Sequence, residues 1–493
     1  MTEVIATIET GRIRGVEDGG VWRYLGVPYA AGPVGDLRFT APAPHAPWSD
    51  IRDATVSGPT APQSVKPFAG LDIVPLVGTG WAKGDDFLTA NVWSPAGATG
   101  APVLVFVHGG AFVLGSNNTA VQDGSAFARS GVVSIAINYR MGVEGFLPIP
   151  GAPTNLGLRD IIAALQWIGR NAAAFGGDPG NITVHGESAG AMLLADLVAS
   201  PAAKGLFRRA IIQSGHGSMV RTPHVAQRLV RKLARMMKVK PDLAGFRSRD
   251  AEAGVAAVEA IGQPTARIDL RDDTGREPAF GLTKFLPVTG DDILPEPPLA
   301  ALARGVGSDI QVLIGTNREE MNLYFVPTGV REKLNGLFAR MILKKVEPQA
   351  KPILEAYGLG TKGVSAGDAF TRALSDLVFR YPARRFAAAH QGRTHMYEMD
   401  WRSPAAGGEL GACHGIELPF VFDTLPSCTG PEGLAGVAPP QPLADRIHGL
   451  WVAFARTGDL PWPEYSTADP QVFALEAGTA APEPPLPVAA ILN

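Results

Sequence analysis

The sequence has few cysteines and no strong excess of charge of either sign. Only two of its 493 residues are cysteine, Cys413 and Cys428, and 44 basic against 47 acidic residues leave a formal net charge of −3. A secreted scaffold held by disulfides would have more cysteines. A nucleic-acid surface would need an excess of lysine and arginine. The separation of the two cysteines permits a bond, but free thiols are expected in a reducing compartment, and no nucleic-acid partner is expected.

The sequence also lacks long apolar runs. No stretch approaches the roughly 18 consecutive apolar residues of a membrane span. The chain opens with MTEVIAT, in which no basic segment is followed by an apolar one, as a secretion signal would require. The basic stretch 228–238 is interpreted as an amphipathic surface helix. These features predict a cytoplasmic, bacterial protein without a membrane partner.

Apolar residues are abundant and periodic. They make up 46% of the chain, enough for a large core. Strand-like runs at 132–138 and 210–213 alternate with helix-like ones such as 161–175, which predicts a mostly parallel sheet with helices on both faces. Length alone would favour two or three domains. Weaker strand signals at about 220–300 and 325–385 predict helical excursions.

A candidate nucleophile lies in the segment HGESAGA, which contains a G-x-S-x-G core around Ser188. Residues 181–184 before it are typical of a short buried strand. A nucleophile elbow strains the serine backbone, so its neighbours must be small for strand and helix to approach closely, and Gly186, Ala189 and Gly190 meet that need. The alternative is an ordinary tight turn.

A second motif follows another predicted strand, residues 103–107, as His-Gly-Gly-Ala. Two consecutive glycines allow backbone amides to turn toward the oxyanion of a tetrahedral intermediate. The predicted donors are the amides of Gly110, Ala111 and Ala189. A simple glycine-rich turn is the alternative, but the two motifs together favour an acyl-transfer site.

A serine nucleophile needs a histidine base and an acid that orients it. In the α/β-hydrolase order of serine, acid and histidine, the base follows Ser188. The candidates are His216, His224, His390, His395, His414 and His448. His414 is favoured, because a glycine and then an apolar run follow it. For the acid, a predicted strand near 310–314 ends in a polar turn with Glu319 and Glu320, which residue types alone do not separate.

These motifs and several others resemble the type-B carboxylesterases, a family that includes bacterial p-nitrobenzyl esterases, animal carboxylesterases and the cholinesterases. The resemblance extends over nearly the whole chain. Besides the oxyanion loop, the elbow, the Glu320 turn and the His414 loop, the matching segments are YLGVPYA at 24–30, RF at 38–39, DDFLTANVW at 85–93, NYR at 138–140, NLGLRD at 155–160, FGGDP at 175–179 and QSG at 213–215.

The resemblance implies an α/β-hydrolase fold in a single domain over residues 1–493, with a mostly parallel central sheet and helical excursions around an active-site gorge. It implies that Ser188 is the nucleophile, His414 the base and Glu320 the triad acid, because Glu320 occupies the second acidic place of the family's G-x-N-x-[DE]-E turn. Ser214 matches a buried serine that supports the acid and the histidine.

Two structural ion pairs are also implied by the resemblance. They join Arg140 to Asp160 and Arg38 to Asp85, and both belong to the architecture rather than to the chemistry.

The chain departs from the family pattern at three places. Met321 replaces the glycine that usually follows the acid, and Phe87 replaces the cysteine of the E-D-C-L segment, which removes the usual disulfide near the gorge. His185 precedes the elbow. None of these changes removes a catalytic group.

The predicted function is hydrolysis of uncharged carboxylic esters with short or medium acyl groups and possible aryl or benzyl leaving groups, without cofactor or metal. An apolar pocket is expected, with ordinary core packing as the alternative, from Phe112, Leu114, Met192, Leu323 and Tyr324. Carbamate or amide hydrolysis and acyl transfer to an alcohol remain alternatives that use the same triad. A non-catalytic binding relative is a more remote one.

Overall fold

The computed structural model describes residues 2–68 and 70–492. Strands within these residues form a single sheet of thirteen members. They are β1 (Thr2–Ile8), β2 (Gly11–Asp18), β3 (Val21–Pro28), β4 (Ile51–Asp53), β5 (Thr89–Pro95), β6 (Ala101–Val107), β7 (Val133–Ile137), β8 (Gly177–Glu187), β9 (Arg209–Gln213), β10 (Gln311–Asn317), β11 (Thr394–Met399), β12 (Gln471–Ala474) and β13 (Thr479–Pro482).

Helices connect and cover these strands. They are α1 (Val74–Val77), α2 (Ser125–Arg129), α3 (Gly142–Phe146), α4 (Leu156–Asn171), α5 (Ala189–Val198), α6 (Pro223–Met237), α7 (Leu243–Arg247), α8 (Ala251–Gly262), α9 (Pro298–Ala303), α10 (Asn322–Phe325), α11 (Val330–Lys333), α12 (Gly336–Lys344), α13 (Ala350–Ala356), α14 (Ala366–Ser375), α15 (Tyr381–Ala389), α16 (Leu418–Val421), α17 (Gln441–Thr457) and α18 (Ala489–Leu492).

The sheet is parallel at its centre and antiparallel at its edges. Its order is β1-β2-β3-β5-β7-β6-β8-β9-β10-β11-β12-β13, with β4 beside β2. Neighbours in this order from β7 to β12 are parallel, and β4 is parallel to β2. The pairs β1–β2, β2–β3, β3–β5, β5–β7 and β12–β13 are antiparallel. The predicted α/β-hydrolase architecture is thus confirmed. The carboxyl ends of β6, β8 and β10 lie on the same edge, where such sheets place their ligands.

Hydrophobic cores cover both faces of the sheet. Successive side chains of a strand point to opposite faces. Accordingly, Val103 and Val105 of β6 belong to one buried cluster and Leu104 and Phe106 to another. Helices α4 and α5 contribute to the first cluster and α17 to the second. Helices therefore fix the central strands, and with them the strand ends, from two sides.

The excursions predicted around the gorge contain much of the remaining helix. Helices α6 to α9 lie in the first stretch, and α11 to α14 lie in the second. Helix α6 carries the basic segment and buries Leu229, Val230 and Leu233 on its apolar face, as an amphipathic surface helix should. Among the described residues, no helix combines the length and apolar character that crossing a bilayer requires.

One of the two implied ion pairs is present and the other is not. Arg140 and Asp160 are buried and form a bidentate pair, with an Nη2–Oδ1 distance of 2.6 Å. Arg38 does not contact Asp85. It pairs instead with Glu144 at 2.6 Å and 3.1 Å, because the buried Glu144 presents both carboxylate oxygens to the guanidinium fork.

Candidate active site

Ser188 lies at the turn between β8 and α5. Its backbone is strained, with φ 55° and ψ −124°. Its amide donates to the carbonyl of Gln213 at 2.9 Å. A Cβ at Gly190 would lie 2.0 Å from the carbonyl oxygen of Val107, and one at Gly186 would lie 2.9 Å from the same oxygen. Glycine is therefore needed at both positions for α5 to pack against β6 and lift the serine above the sheet.

Ser188, His414 and Glu320 form a continuous hydrogen-bonded chain. The distance from Ser188 Oγ to His414 Nε2 is 2.8 Å, and that from His414 Nδ1 to Glu320 Oε2 is 2.7 Å. The His414 amide also donates to the Glu320 carbonyl at 3.1 Å. All three side chains are buried. With Nδ1–H bound to the carboxylate, Nε2 can accept the serine proton.

The Glu320 carboxylate is fixed by two further donors. Its Oε1 accepts hydrogen bonds from Ser214 Oγ at 2.7 Å and from the Asn317 amide at 2.8 Å. Ser214 is itself buried, so its hydroxyl is held against the carboxylate. Since Oε2 faces His414, both oxygens are engaged, and the carboxylate can neither rotate nor leave the imidazole without losing hydrogen bonds.

Of the three predicted oxyanion donors, Gly110 and Ala111 line the cavity at Ser188, and Ala189 directly follows Ser188 in the chain. Gly110 and Ala111 have positive φ values of 114° and 54°. Within the described chain, no hydrogen bond is found from the amides of Gly110, Ala111 or Ala189 to another group. A Cβ at Gly110 would lie 1.9 Å from the carbonyl oxygen of Leu114, so a side chain cannot be accommodated there. The loop geometry leaves three amides available to an anionic oxygen beside Ser188.

Glu187 is a further acidic group of the site that the sequence reasoning did not identify. Its Oε1 lies 3.0 Å from His414 Nε2. Burial raises the pKa of Glu187 to about 8. Burial alone would lower the pKa of His414, but the carboxylates of Glu187 and Glu320 outweigh it and raise that pKa above its ordinary value. Glu187 therefore affects the protonation of His414 through its charge, and the position next to the nucleophile was the available sequence signal.

A buried polar network lies beneath the triad. Asn317 Nδ2 donates to Glu417 Oε2 at 2.6 Å, and Gln213 Nε2 donates to Glu417 Oε1 at 3.3 Å. Trp451 Nε1 donates to Gln213 Oε1 at 3.1 Å. Burial and the nearby Glu320 raise the pKa of Glu417. The network connects the ends of β9 and β10 to the segment that follows His414.

Glu319, the other acid of the turn, contacts the histidine loop rather than the histidine. Its amide donates to the carbonyl of Ala412 at 2.9 Å, and its Oε2 accepts the amide of Ala412 at 3.0 Å. Arg402 pairs with the same carboxylate. A Cβ at Gly411, whose φ is 60°, would lie 2.2 Å from Glu319 Oε2, so glycine is required for this approach.

A cavity of about 150 Å³ opens above Ser188. Apolar side chains dominate its walls, and several come from the segment around α1, which the sequence reasoning did not assign to the pocket. The lining residues are Phe68, Ile73, Leu76, Val77, Phe106, Gly109, Gly110, Ala111, Leu114, Gln122, Glu187, Ser188, Leu323, Tyr324, His414, Gly415 and Leu418.

Three of the five predicted pocket residues line this cavity and two do not. Leu114, Leu323 and Tyr324 face it. Phe112 is buried in the core, where its ring meets an aromatic neighbour on α3. Met192 lies on the first turn of α5 and faces the main core. Both residues are close in sequence to the oxyanion loop or the elbow, but the direction of the backbone turns their side chains away from the cavity.

In the part of the chain that the structure describes, no group of three or more His, Cys, Asp and Glu side chains is arranged to hold a metal ion. Both cysteines, Cys413 and Cys428, are buried free thiols.

Comparison with known proteins identifies relatives over almost the entire chain. The model of the carboxylesterase family matches residues 2–484. Para-nitrobenzyl esterase of Bacillus subtilis (strain 168) is 34% identical, with 97% of this chain and 96% of that protein covered. Phenmedipham hydrolase of Pseudarthrobacter oxydans is 35% identical, with 96% and 95% covered.

Solved structures give the same result. A PNB esterase superposes with a TM-score of 0.84 at 31% identity, covering 98% of both chains. A carboxylesterase of Geobacillus stearothermophilus superposes with a TM-score of 0.81 at 33% identity, covering 97% of this chain and 98% of that one. Since the family model, the relatives and the fold agree, the chain belongs to the carboxylesterase family, enzymes of the α/β-hydrolase fold that hydrolyse carboxylic esters.

Proposed function

We propose that this esterase acts through Ser188 as nucleophile, His414 as general base and acid, and Glu320 as the acid that orients His414. The observation that carries the proposal is the buried hydrogen-bonded chain from Ser188 Oγ through the imidazole to Glu320, at 2.8 Å and 2.7 Å. These distances and this order match the requirements of a serine nucleophile with its base and orienting acid.

In the first half of the reaction, His414 Nε2 takes the hydroxyl proton while Ser188 Oγ bonds to the ester carbonyl carbon. The carbonyl oxygen becomes an oxyanion that accepts hydrogen bonds from the amides of Gly110, Ala111 and Ala189. Collapse of the tetrahedral intermediate breaks the carbon–oxygen bond to the alcohol. The alcohol takes the proton from His414 and leaves an acyl group on Ser188.

In the second half, water replaces the alcohol. His414 Nε2 takes a proton from water as its oxygen attacks the acyl carbon, and the same amides hold the second oxyanion. The bond to Ser188 then breaks, and Oγ regains the proton from His414. Throughout, Glu320 fixes the imidazole and stabilises its charged form, as an orienting acid does.

The substrates that we propose are uncharged esters with short or medium acyl groups, including esters of aryl or benzyl alcohols. The aliphatic side chains of Ile73, Leu76, Val77 and Leu418 favour a neutral substrate over a cation, because burying a charge against them costs its hydration. A para-nitrobenzyl esterase among the relatives supports the choice of leaving group.

Hydrolysis of p-nitrophenyl esters from acetate to decanoate, by the purified protein and by Ser188→Ala, tests the proposal. We expect turnover by the wild type and a loss on the order of a millionfold in the variant. Ser466→Ala, at an exposed serine far from the site in sequence, is the matched control and should retain activity. Turnover that survives Ser188→Ala would overturn the assignment. Aryl carbamates and anilides measured in parallel should be poorer substrates than the esters.

We further propose that the enzyme works as a single domain on small molecules in a reducing cytoplasm, with no nucleic-acid or membrane partner. With a net charge of −3, the protein has no overall positive potential that would attract nucleic acid. The two buried free thiols suit a reducing compartment. Fractionation of the cells that make the protein, with activity followed in each fraction, tests the location. Activity confined to a periplasmic or membrane fraction would contradict it.

A further inference from the structure

A second compartment adjoins the catalytic cavity. It has a volume of about 280 Å³ and shares three wall residues, Phe68, Ile73 and Leu114, with the cavity above Ser188. Leu114 follows the oxyanion loop, and its amide donates to the carbonyl of Gly110 at 3.0 Å. The partition between the two spaces is therefore attached to the loop that supplies the oxyanion donors.

The inner wall of this compartment is apolar and is built around small residues. It is formed by α3 and the segment before it, with Met141, Gly142 and Val143, and by α8, with Val255 and Val258. A Cβ at Gly142 would lie 3.1 Å from Val258 Cγ2, so the two helices approach closely there. The aliphatic side chains of Met141, Val143, Val255 and Val258 make this part of the lining apolar, which favours apolar occupants.

Charged groups of the compartment are already paired. Glu144 forms its ion pair with Arg38 at 2.6 Å. At the rim, Glu259 accepts a hydrogen bond from Ser64 and lies 3.9 Å from Lys66 Nζ. Because these carboxylates have partners, a cationic occupant would gain little from them, and an anionic one would meet two carboxylates.

We propose that the compartment binds one apolar limb of the ester, an alkyl chain or an aryl group without charge, that extends past Leu114 from the bond cleaved at Ser188. This inference rests on the proposed function and narrows its substrate class to esters with an extended hydrophobic limb. Val255 and Val258 of α8 then determine which limb lengths are hydrolysed efficiently.

Two ester series identify the limb. Acyl length varies in p-nitrophenyl acetate to decanoate, and alcohol length varies in the acetates of methanol to decanol. For Val258→Trp, which fills the compartment, we expect the ratio of kcat/KM for the octyl-length ester to that for the shortest ester to fall by about tenfold or more in one of the two series. Val255→Phe should act in the same direction. Ala256→Trp, at an exposed position on the same helix, should leave the ratio as in the wild type.

Binding measured without turnover keeps this test separate from the proposed mechanism. Calorimetric affinity of Ser188→Ala for p-nitrophenyl octanoate, or for octyl acetate, should fall when Val258→Trp is added and should not fall with Ala256→Trp. Length ratios within about twofold of wild type in both series for both filling variants, together with unchanged affinity, would overturn the inference while leaving the esterase mechanism intact. Turnover that survives Ser188→Ala would instead overturn the mechanism.

Discussion

The Glu319 carboxylate accepts a hydrogen bond from the Ala412 amide at 3.0 Å and thereby connects the turn that carries the triad acid to the loop that carries the triad base. Ala412 lies two residues before His414. The reciprocal bond from the Glu319 amide to the Ala412 carbonyl, at 2.9 Å, completes a two-point connection. The acid next to Glu320 thus acts on the distance between Glu320 and His414 and not on the substrate.

Loss of this connection should lower kcat. In Glu319→Ala, the Ala412 amide loses its acceptor, and a displacement of His414 by about 1 Å would reduce kcat by on the order of 10- to 100-fold with little change in KM. Glu319→Gln retains an acceptor oxygen and should recover most of the activity. Steady-state kinetics of both variants check this prediction. Glu355→Ala, which removes an exposed ion pair with Arg340, is the control. An unchanged kcat in Glu319→Ala would contradict the prediction.

The pH dependence of activity should reflect Glu187. His414 acts as a base only when it is deprotonated, and the carboxylates of Glu187 and Glu320 raise its pKa against the opposing effect of burial. The acid limb of the kcat/KM profile should therefore have its midpoint above the ordinary histidine value of about 6.5. Glu187→Gln removes one of the two acidic neighbours, so the midpoint should move to lower pH. A midpoint that stays in place or rises would count against this effect of Glu187 on the pKa of His414.

Asp196 is a buried carboxyl on α5 that lowers the stability of the fold at neutral and alkaline pH. Neither of its oxygens has a hydrogen-bond partner among the described residues, and burial raises its pKa well above the ordinary value. A carboxyl whose pKa is raised in the folded state lowers the stability of the protein as the pH rises above about 3.9, the pKa of that carboxyl in the unfolded chain.

Asp196→Asn should therefore increase the free energy of unfolding by about 1–3 kcal/mol near pH 8 and by much less near pH 4. Denaturant titrations at the two pH values measure the difference. The exposed Asp273→Asn provides the matched control and should show no such pH dependence. A variant that is less stable than the wild type at pH 8 would show that Asp196 has a favourable partner.

His185, which replaces the family residue before the elbow, should make the fold sensitive to acid. Its ring packs among Phe106, Phe127 and Phe422, and burial lowers its pKa to about 3. The pKa of His185 is therefore lower in the folded protein than in the unfolded chain, where it is about 6.5. The neutral ring contributes fully to stability above about pH 6.5, and this contribution is lost as the pH falls, by up to about 1.4 kcal/mol per pH unit.

The variant His185→Phe should reduce the slope of unfolding free energy against pH between about 6.5 and 4 by that amount. His45→Phe, at a histidine near the surface, is the comparison. Equal slopes for wild type and His185→Phe would mean that this histidine is hydrated or protonated in the folded state.

The sequence predicted the main elements of the site because they are encoded in short stretches. Strand β8 with the small residues around Ser188, strand β6 with its glycines, and the turn with Glu320 each combine a local backbone requirement with a reactive group. The structure brings Ser188, Glu320 and His414 to hydrogen-bonding distance of one another along one chain of contacts. Residue types alone left Glu319 and Glu320 equivalent, since both are acids in one turn, and only the family resemblance separated them.

Other features depend on side-chain directions that sequence spacing does not determine. Phe112 follows an oxyanion donor and Met192 follows the nucleophile, yet both point into the core. The partner of Arg38 is Glu144, a buried carboxylate on α3 that is far from Arg38 in sequence. The second compartment could not be predicted either, since α3 and α8 are far apart in sequence and only their packing creates it.

The most direct test of the central claim is mass spectrometry of the intact protein after reaction with a p-nitrophenyl organophosphate, followed by peptide mapping. The account predicts one adduct per chain, on Ser188, and almost none in His414→Ala, because Oγ then lacks the base that removes its proton. An adduct on another residue, or labelling that is as fast without His414, would contradict the assignment of Ser188 and His414 as the reacting pair.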